Sequence, residues 1–172
     1  MHFYSHPRFQ DHSMGSGHPE CPERLVAIEE TLKARALWPQ LDHQVAKSVD
    51  IGLLELAHAK DLLQRLTLPV AQGSYEFIDP DTCMNAHTYE AMLLASGAVL
   101  QAVDAVLAGE TRHAFCAVRP PGHHAERSSS MGFCFVNHIA LAALYAREKH
   151  KLTRVAVIDF DVHHGNGTED IL

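Results

Sequence analysis

The stretch that most constrains this chain is RVAVIDFDVHHGNGTEDIL, residues 154–172. An apolar, β-branched run reads as a buried strand, yet this one ends in two aspartates and two histidines. Along an extended segment Asp159, Asp161 and His163 share one parity, so their side chains face the same side as Val155 and Val157. Carboxylates in an apolar setting are costly unless something pairs with them. A cation is the direct remedy, because Asp-x-His offers one oxygen and one nitrogen donor to a zinc-type ion. The carboxyl ends of strands are also where open α/β sheets carry their ligands.

The rest of the chain supplies the sheet and its helices. HFYSH reads as a short strand, and the Gly, Pro and Ser of DHSMGSGHPECPER make a loop. Pro22 suits the first turn of a helix through ERLVAIEETLKARAL, with Leu25, Ile28 and Leu32 on one face. A second helical pattern covers IGLLELAHAKDLLQRL and breaks at Pro69 and Gly73. EFIDPDTCMNAHT reads as a loop turning at Asp79-Pro80-Asp81. The spacing predicts a long helix over Thr88–Leu107 with Gly109 as its stop. HAFCAV is a short buried strand, and Asn137 caps a helix through IALAALYAREKH. Strands alternating with long helices predict one α/β domain with a mainly parallel sheet.

A second histidine pair lies in RPPGHHAERSSSMGFCFVNH, on a loop that two prolines and two glycines keep out of helix. Stiffness suits proton transfer, since a general base must stay within hydrogen-bond reach of its water. Imidazole also titrates near neutrality. His123-His124 and His163-His164, brought together at one sheet end, would frame a metal-bound water.

Composition narrows the classes. The net charge is −7 with no basic run, against direct nucleic-acid binding. The four cysteines form no Cys-x-x-Cys pair and read as reduced, buried thiols. No apolar stretch reads as long and uninterrupted enough to span a bilayer, and the start lacks a secretory apolar core. A cytoplasmic protein is the expectation.

PGHHA, GFCFVNH and DFDVHHGNGT, with GHPECPERL near the start, resemble the histone deacetylase family, in its order and from His6 to Leu172. RPPGHHA is similar to the class II branch and its bacterial deacetylase and acetylpolyamine amidohydrolase relatives. The arginase signature Asp-x-His-x-Asp is absent. The resemblance implies the three-layer, parallel-sheet arginase/deacetylase fold, with residues 1–172 as the N-terminal half of a single deacetylase domain. It implies zinc held by Asp161 and His163, and His123 and His124 as the catalytic pair, with His124 the general base and acid. Asp159 would support His123 and bind a structural potassium ion, and Asn166 would orient His124. Gly132 and Phe133 would line an acyl-lysine channel, with Arg24 near its foot and Asp81 as a substrate-binding aspartate.

The resemblance further implies that a third zinc ligand and a catalytic Tyr follow Leu172, because Tyr4, Tyr75, Tyr89 and Tyr145 lie in other contexts. These 172 residues are therefore expected to be inactive alone, as part of an enzyme acting on acetyl-lysine or acetylpolyamine amides. Two alternatives are a non-catalytic half-domain that binds a partner or self-associates, as a homo-oligomer, and another metal hydrolase such as a phosphoesterase. The GFCF motif and the lack of basic phosphate ligands disfavour the latter.

Overall fold

The computed structural model describes residues 1–172. In chain order the elements are β1 (His2–Ser5), α1 (Glu23–Ala34), β2 (Asp42–Val45), α2 (Lys60–Leu66), β3 (Glu76–Asp79), β4 (Thr82–Met84), α3 (Thr88–Leu107), β5 (Ala114–Cys116), α4 (His138–Glu148) and α5 (Asn166–Ile171). Three strands form a parallel sheet in the order β2-β1-β5, with His2 opposite both Asp42 and Ala114.

Alternation along β1 sends Phe3 and Tyr4 to opposite faces. Tyr4 packs with Ala91, Leu94, Ala95 and Ala98 of α3. Phe3 stacks on Phe115, centroids 5.7 Å apart, and meets the edge of Trp38 at 5.4 Å. β2 escapes sequence reading because DHQV is polar and mostly exposed. Its strand character comes from pairing with β1.

Helix α3 occupies the predicted span, and Gly109 follows it at φ 76°. By length and hydropathy alone this helix qualifies as a membrane span, which corrects the sequence expectation that no stretch does. Twelve of its residues are buried, however, and it is a core helix here. Asn137 caps α4 as expected, its side chain accepting from the Ala140 N–H at 3.0 Å. A larger core gathers Leu54, Leu62, Leu66, Met92, Phe135 and Leu141 beneath the histidine loop. Each such side chain contributes about 1.5–3 kcal/mol by leaving water.

Three further expectations are corrected. The helical pattern over residues 51–66 is split into a 3₁₀ turn, Ile51–Leu56, and α2. Between them the Ala59 N–H leaves the helical ladder for the Arg127 carbonyl at 2.7 Å, and His58 bonds the Glu126 carbonyl at 2.9 Å. Docking against the histidine loop thus wins over local helicity. Residues 76–84 are a β3–β4 hairpin around the predicted turn, in which Asp79 accepts from the Asp81 N–H at 2.9 Å.

The third correction concerns RVAVIDFDV, the clearest strand in the sequence, which joins no ladder. Ile158, Phe160 and Val162 are 87%, 97% and 91% exposed. A cavity of about 1070 Å³, lined by Val99, Cys116, Val118, Ala142, Ile158 and Phe160 among others, lies between this segment, β5 and helices α3 and α4. Strand propensity is largely a matter of fitting a neighbour, and no neighbour stands on this side of β5.

Candidate active site

The two histidine-bearing loops meet. His123 Nδ1 lies 2.8 Å from Asp159 Oδ2, and His124 Nδ1 lies 2.7 Å from Asn166 Oδ1. Both imidazoles are therefore gripped through Nδ1, and no protein group bonds either Nε2. The rings are 4.0 Å apart at their centroids, tilted by 46°. The Gly167 and Thr168 N–H groups, at the start of α5, donate to the His123 carbonyl at 3.0 and 3.2 Å. On the other side His138 Nε2 donates to the Pro120 carbonyl at 3.1 Å and Nδ1 lies 2.9 Å from Ser96 Oγ. Burial pushes His138 down to about 4, so it is a neutral strut under the Pro-Pro loop.

Close approach to the His124 loop requires glycine at 167 and 132, among other positions. A Cβ on Gly167 would stand 2.1 Å from the Ala125 carbonyl oxygen. Gly132 has φ 56°, and a Cβ there would stand 2.6 Å from His124 Cδ2. Glycine lets the GFCF turn lie flat against the His124 ring. Cys134 is buried next to this turn, and burial raises its thiol to about 12, which rules it out as a ready nucleophile.

The expected metal ligands stand beside the histidine pair: the His124 and His163 rings are 6.0 Å apart. Asp161 and His163 do not project from a straight strand, because the chain bends over residues 161–163 and Asp161 Oδ1 accepts the His163 N–H at 2.8 Å. The bend still brings Asp161 Oδ1 within 2.9 Å of His163 Nδ1. That separation is a hydrogen bond, shorter than the roughly 3.3–3.6 Å between two donors of a tetrahedral zinc with bonds of about 2.0–2.2 Å, so the pair would have to open to take the ion. No third His, Cys, Asp or Glu completes a metal-binding group. For Asp159, partial burial would raise the carboxyl, but the bonds from His123 and the Asp161 N–H outweigh it and hold it below the usual range. For Asp161, the N–H and ring of His163 lower it.

Phe133 adopts φ 70°, a strained conformation for a bulky residue, held by its N–H donating to Thr82 Oγ1 at 2.9 Å. His18 meets the Phe133 ring edge-on at 4.6 Å and bonds the Asp81 carbonyl at 3.0 Å. Gly132, Phe133 and the Asp81 turn thus form one rim. Arg24 does not join it: its side chain is exposed at the start of α1 and makes no hydrogen bond. The internal arginine is Arg119, 3% exposed and bonded to Glu20 and the Phe9 carbonyl.

Sequence reading missed Arg119, His138 and Glu126. Each is polar and adjoins a motif, but only folding reveals its partner. His58 is structural: burial pushes it down to about 4, and it links the Asn137 N–H, at 2.8 Å, to the Glu126 carbonyl.

Comparison with known proteins bears on this geometry. Residues 18–172 match the model of the histone deacetylase domain. An uncharacterized Synechocystis protein is 40% identical over 168 residues, covering 95% of this chain and 54% of that protein. The human polyamine deacetylase HDAC10 is 37% identical over 88% of this chain and 24% of its own length. The histone deacetylase-like amidohydrolase of Pseudomonas aeruginosa is 37% identical over 91% of this chain and 41% of its own. The crystal structure of the HDA15 HD domain superposes with a TM-score of 0.92 and 32% identity, over 99% of this chain and 49% of that one.

The fold places the molecule among α/β proteins with the architecture of a deacetylase domain. The chain belongs to the histone deacetylase family. It spans about half the length, or less, of the relatives it matches.

Proposed function

We propose that this chain carries the histidine half of a zinc-dependent amidohydrolase site that removes acetyl groups from lysine or polyamine amines. The observation behind it is the double grip on the paired imidazoles, His123 by Asp159 and His124 by Asn166, beside Asp161 and His163. The relatives named for polyamine deacetylase and amidohydrolase activity support the substrate class.

His124, with Nδ1 engaged, has Nε2 available to take a proton from water and return it to the leaving amine. His123, backed by the Asp159 carboxylate, is suited to carry positive charge next to a developing oxyanion. Asp161 and His163 would hold zinc, which when bound polarises an amide carbonyl and acidifies water. Asp159 could share a carboxylate oxygen with a potassium ion, since each oxygen has more than one lone pair. The Gly132–Phe133 turn, with Asp81 beside it, would seat the acyl-amine chain. A catalytic zinc normally has three protein ligands, so with two the 172 residues alone are expected to be inactive. The four free cysteines support a reducing compartment, the cytoplasm.

The test is hydrolysis of acetyl-lysine and acetylpolyamine substrates by the full-length gene product, with and without a chelator. His124→Ala should lower the rate at least about 100-fold. An unchanged rate would remove His124 from the role of base.

A second reading, a self-associating module, has its own observation. Phe160, Ile158 and Val162 form an exposed apolar row beside the open edge of β5, and such edges invite pairing.

A further inference from the structure

We infer that Glu126 is a positioning residue that sets the tautomer of His124 through the side-chain amide of Asn166. The inference rests on reading His124 as the general base.

An Asn side chain has two ends of similar shape, one accepting and one donating. If the Asn166 NH₂ faced His124, Nδ1 would have to accept, the ring proton would sit on Nε2, and no lone pair would remain there for water. If Oδ1 faces His124, Nδ1 keeps the proton and Nε2 is free. Nothing in the His124–Asn166 pair alone decides between these.

Glu126 decides it. Its carboxylate can only accept, and Oε1 lies 2.9 Å from Asn166 Nδ2. The end of Asn166 that faces Glu126 must therefore be the NH₂, which leaves Oδ1 toward His124 Nδ1 at 2.7 Å. Two weaker contacts of Nδ2, with the His124 carbonyl and Met131 Sδ at 3.4 Å, also suit a donor.

Glu126 is itself held from three directions. Ser129 Oγ donates to Oε2 at 2.9 Å, the Glu126 N–H donates to the Ser129 carbonyl at 2.9 Å, and the Glu126 carbonyl accepts from His58 Nδ1 at 2.9 Å. His58 cannot turn around, because its Nε2 is occupied in accepting the Asn137 N–H. The relay runs from the Glu126 carboxylate through Asn166 to His124, each step leaving one proton placement, while His58 anchors only the Glu126 backbone. The same carboxylate explains Asn rather than Asp at 166, since a second carboxylate would oppose Oε1 at hydrogen-bond distance.

The experiment is ¹H–¹⁵N long-range correlation NMR of the histidines in this chain near pH 8, with His124 assigned by its loss in His124→Ala. His124 should be protonated on Nδ1. Glu126→Ala should move the Nδ1–H to Nε2–H ratio by roughly tenfold toward Nε2–H, and Glu126→Gln, whose amide oxygen can still accept, should restore most of it. Nε2–H in the wild type, or no shift in Glu126→Ala, would overturn the inference.

If Glu126→Ala does not fold, the pair at 166 decides. Asn166→Asp should lower Tm, and adding Glu126→Gln, which offers the new carboxylate an NH₂, should recover it. Losses that merely add would overturn the inference. None of these readouts needs turnover, so the relay can stand if deacetylation fails, and deacetylation can stand if the relay fails.

Discussion

Arg119 grips Glu20 along both edges, Nε to Oε1 at 2.5 Å and Nη2 to Oε2 at 2.7 Å, with both side chains almost fully buried. Nη1 reaches the Phe9 carbonyl at 2.6 Å, so one guanidinium ties the N-terminal loop to the residue before Pro120. Burial alone would raise Glu20, but His12 and Arg119 beside it hold it down at about 2. Removing one member of such a pair leaves the other charge stranded. Arg119→Met should therefore cost about 3–5 kcal/mol in urea unfolding, and Arg119→Met with Glu20→Leu markedly less. A single-variant loss below about 1 kcal/mol would show that the pair is not an anchor.

Acid should weaken the fold in two windows. His58 and His138 stay neutral to about pH 4 when folded but take a proton near 6.5 when unfolded. Protons then bind the unfolded chain more readily, so stability present above pH 6.5 falls between about 6.5 and 4. Glu20 works in the same direction lower down, its contribution present above the ordinary carboxylate range and lost as pH falls toward about 2. Urea midpoints across pH 4–8 check the first window. His138→Gln, if folded, should flatten part of it.

Gly167 should tolerate no side chain. The nearest atom to an added Cβ is backbone, the Ala125 carbonyl oxygen at 2.1 Å, and the next is Ala125 carbon at 2.4 Å. Gly167→Ala should cost roughly 1–3 kcal/mol or more and pull α5, with Asn166, off the His124 loop. Thermal unfolding measures the first effect, and loss of the His124 Nδ1–H signal reports the second.

Zinc should bind weakly and through two residues. Added Zn²⁺ should raise Tm of this chain slightly, by mass action on the folded state, and both Asp161→Asn and His163→Ala should remove the shift. A shift that survives both variants would place the ion elsewhere.

Sedimentation tests the exposed row. Phe160 is 97% exposed, and Phe160→Asp should lower self-association relative to the unaltered chain. Equal sedimentation of the two would dismiss that face as a contact surface.

Local signals determined much of this protein. The 3.6-residue periodicity of α3, the Asn137 cap and the alternation of strand and helix are properties of neighbours in sequence, and so were legible. The order of the motifs likewise carried the family and named His123, His124, Asp159 and Asn166, which folding brings into two bonded pairs. What tertiary structure decided was pairing over distance. RVAVIDFDV is as strand-like as any segment here, yet a ladder needs a neighbour and it has none. Arg24 looked like the internal arginine from its motif, but burial is a collective outcome, and Arg119 is the one enclosed. Glu126 looked like any loop carboxylate until Asn166, 40 residues away, arrived against it. A side chain's chemistry is written in the chain, whereas the partner that gives it direction exists only once the loops have met.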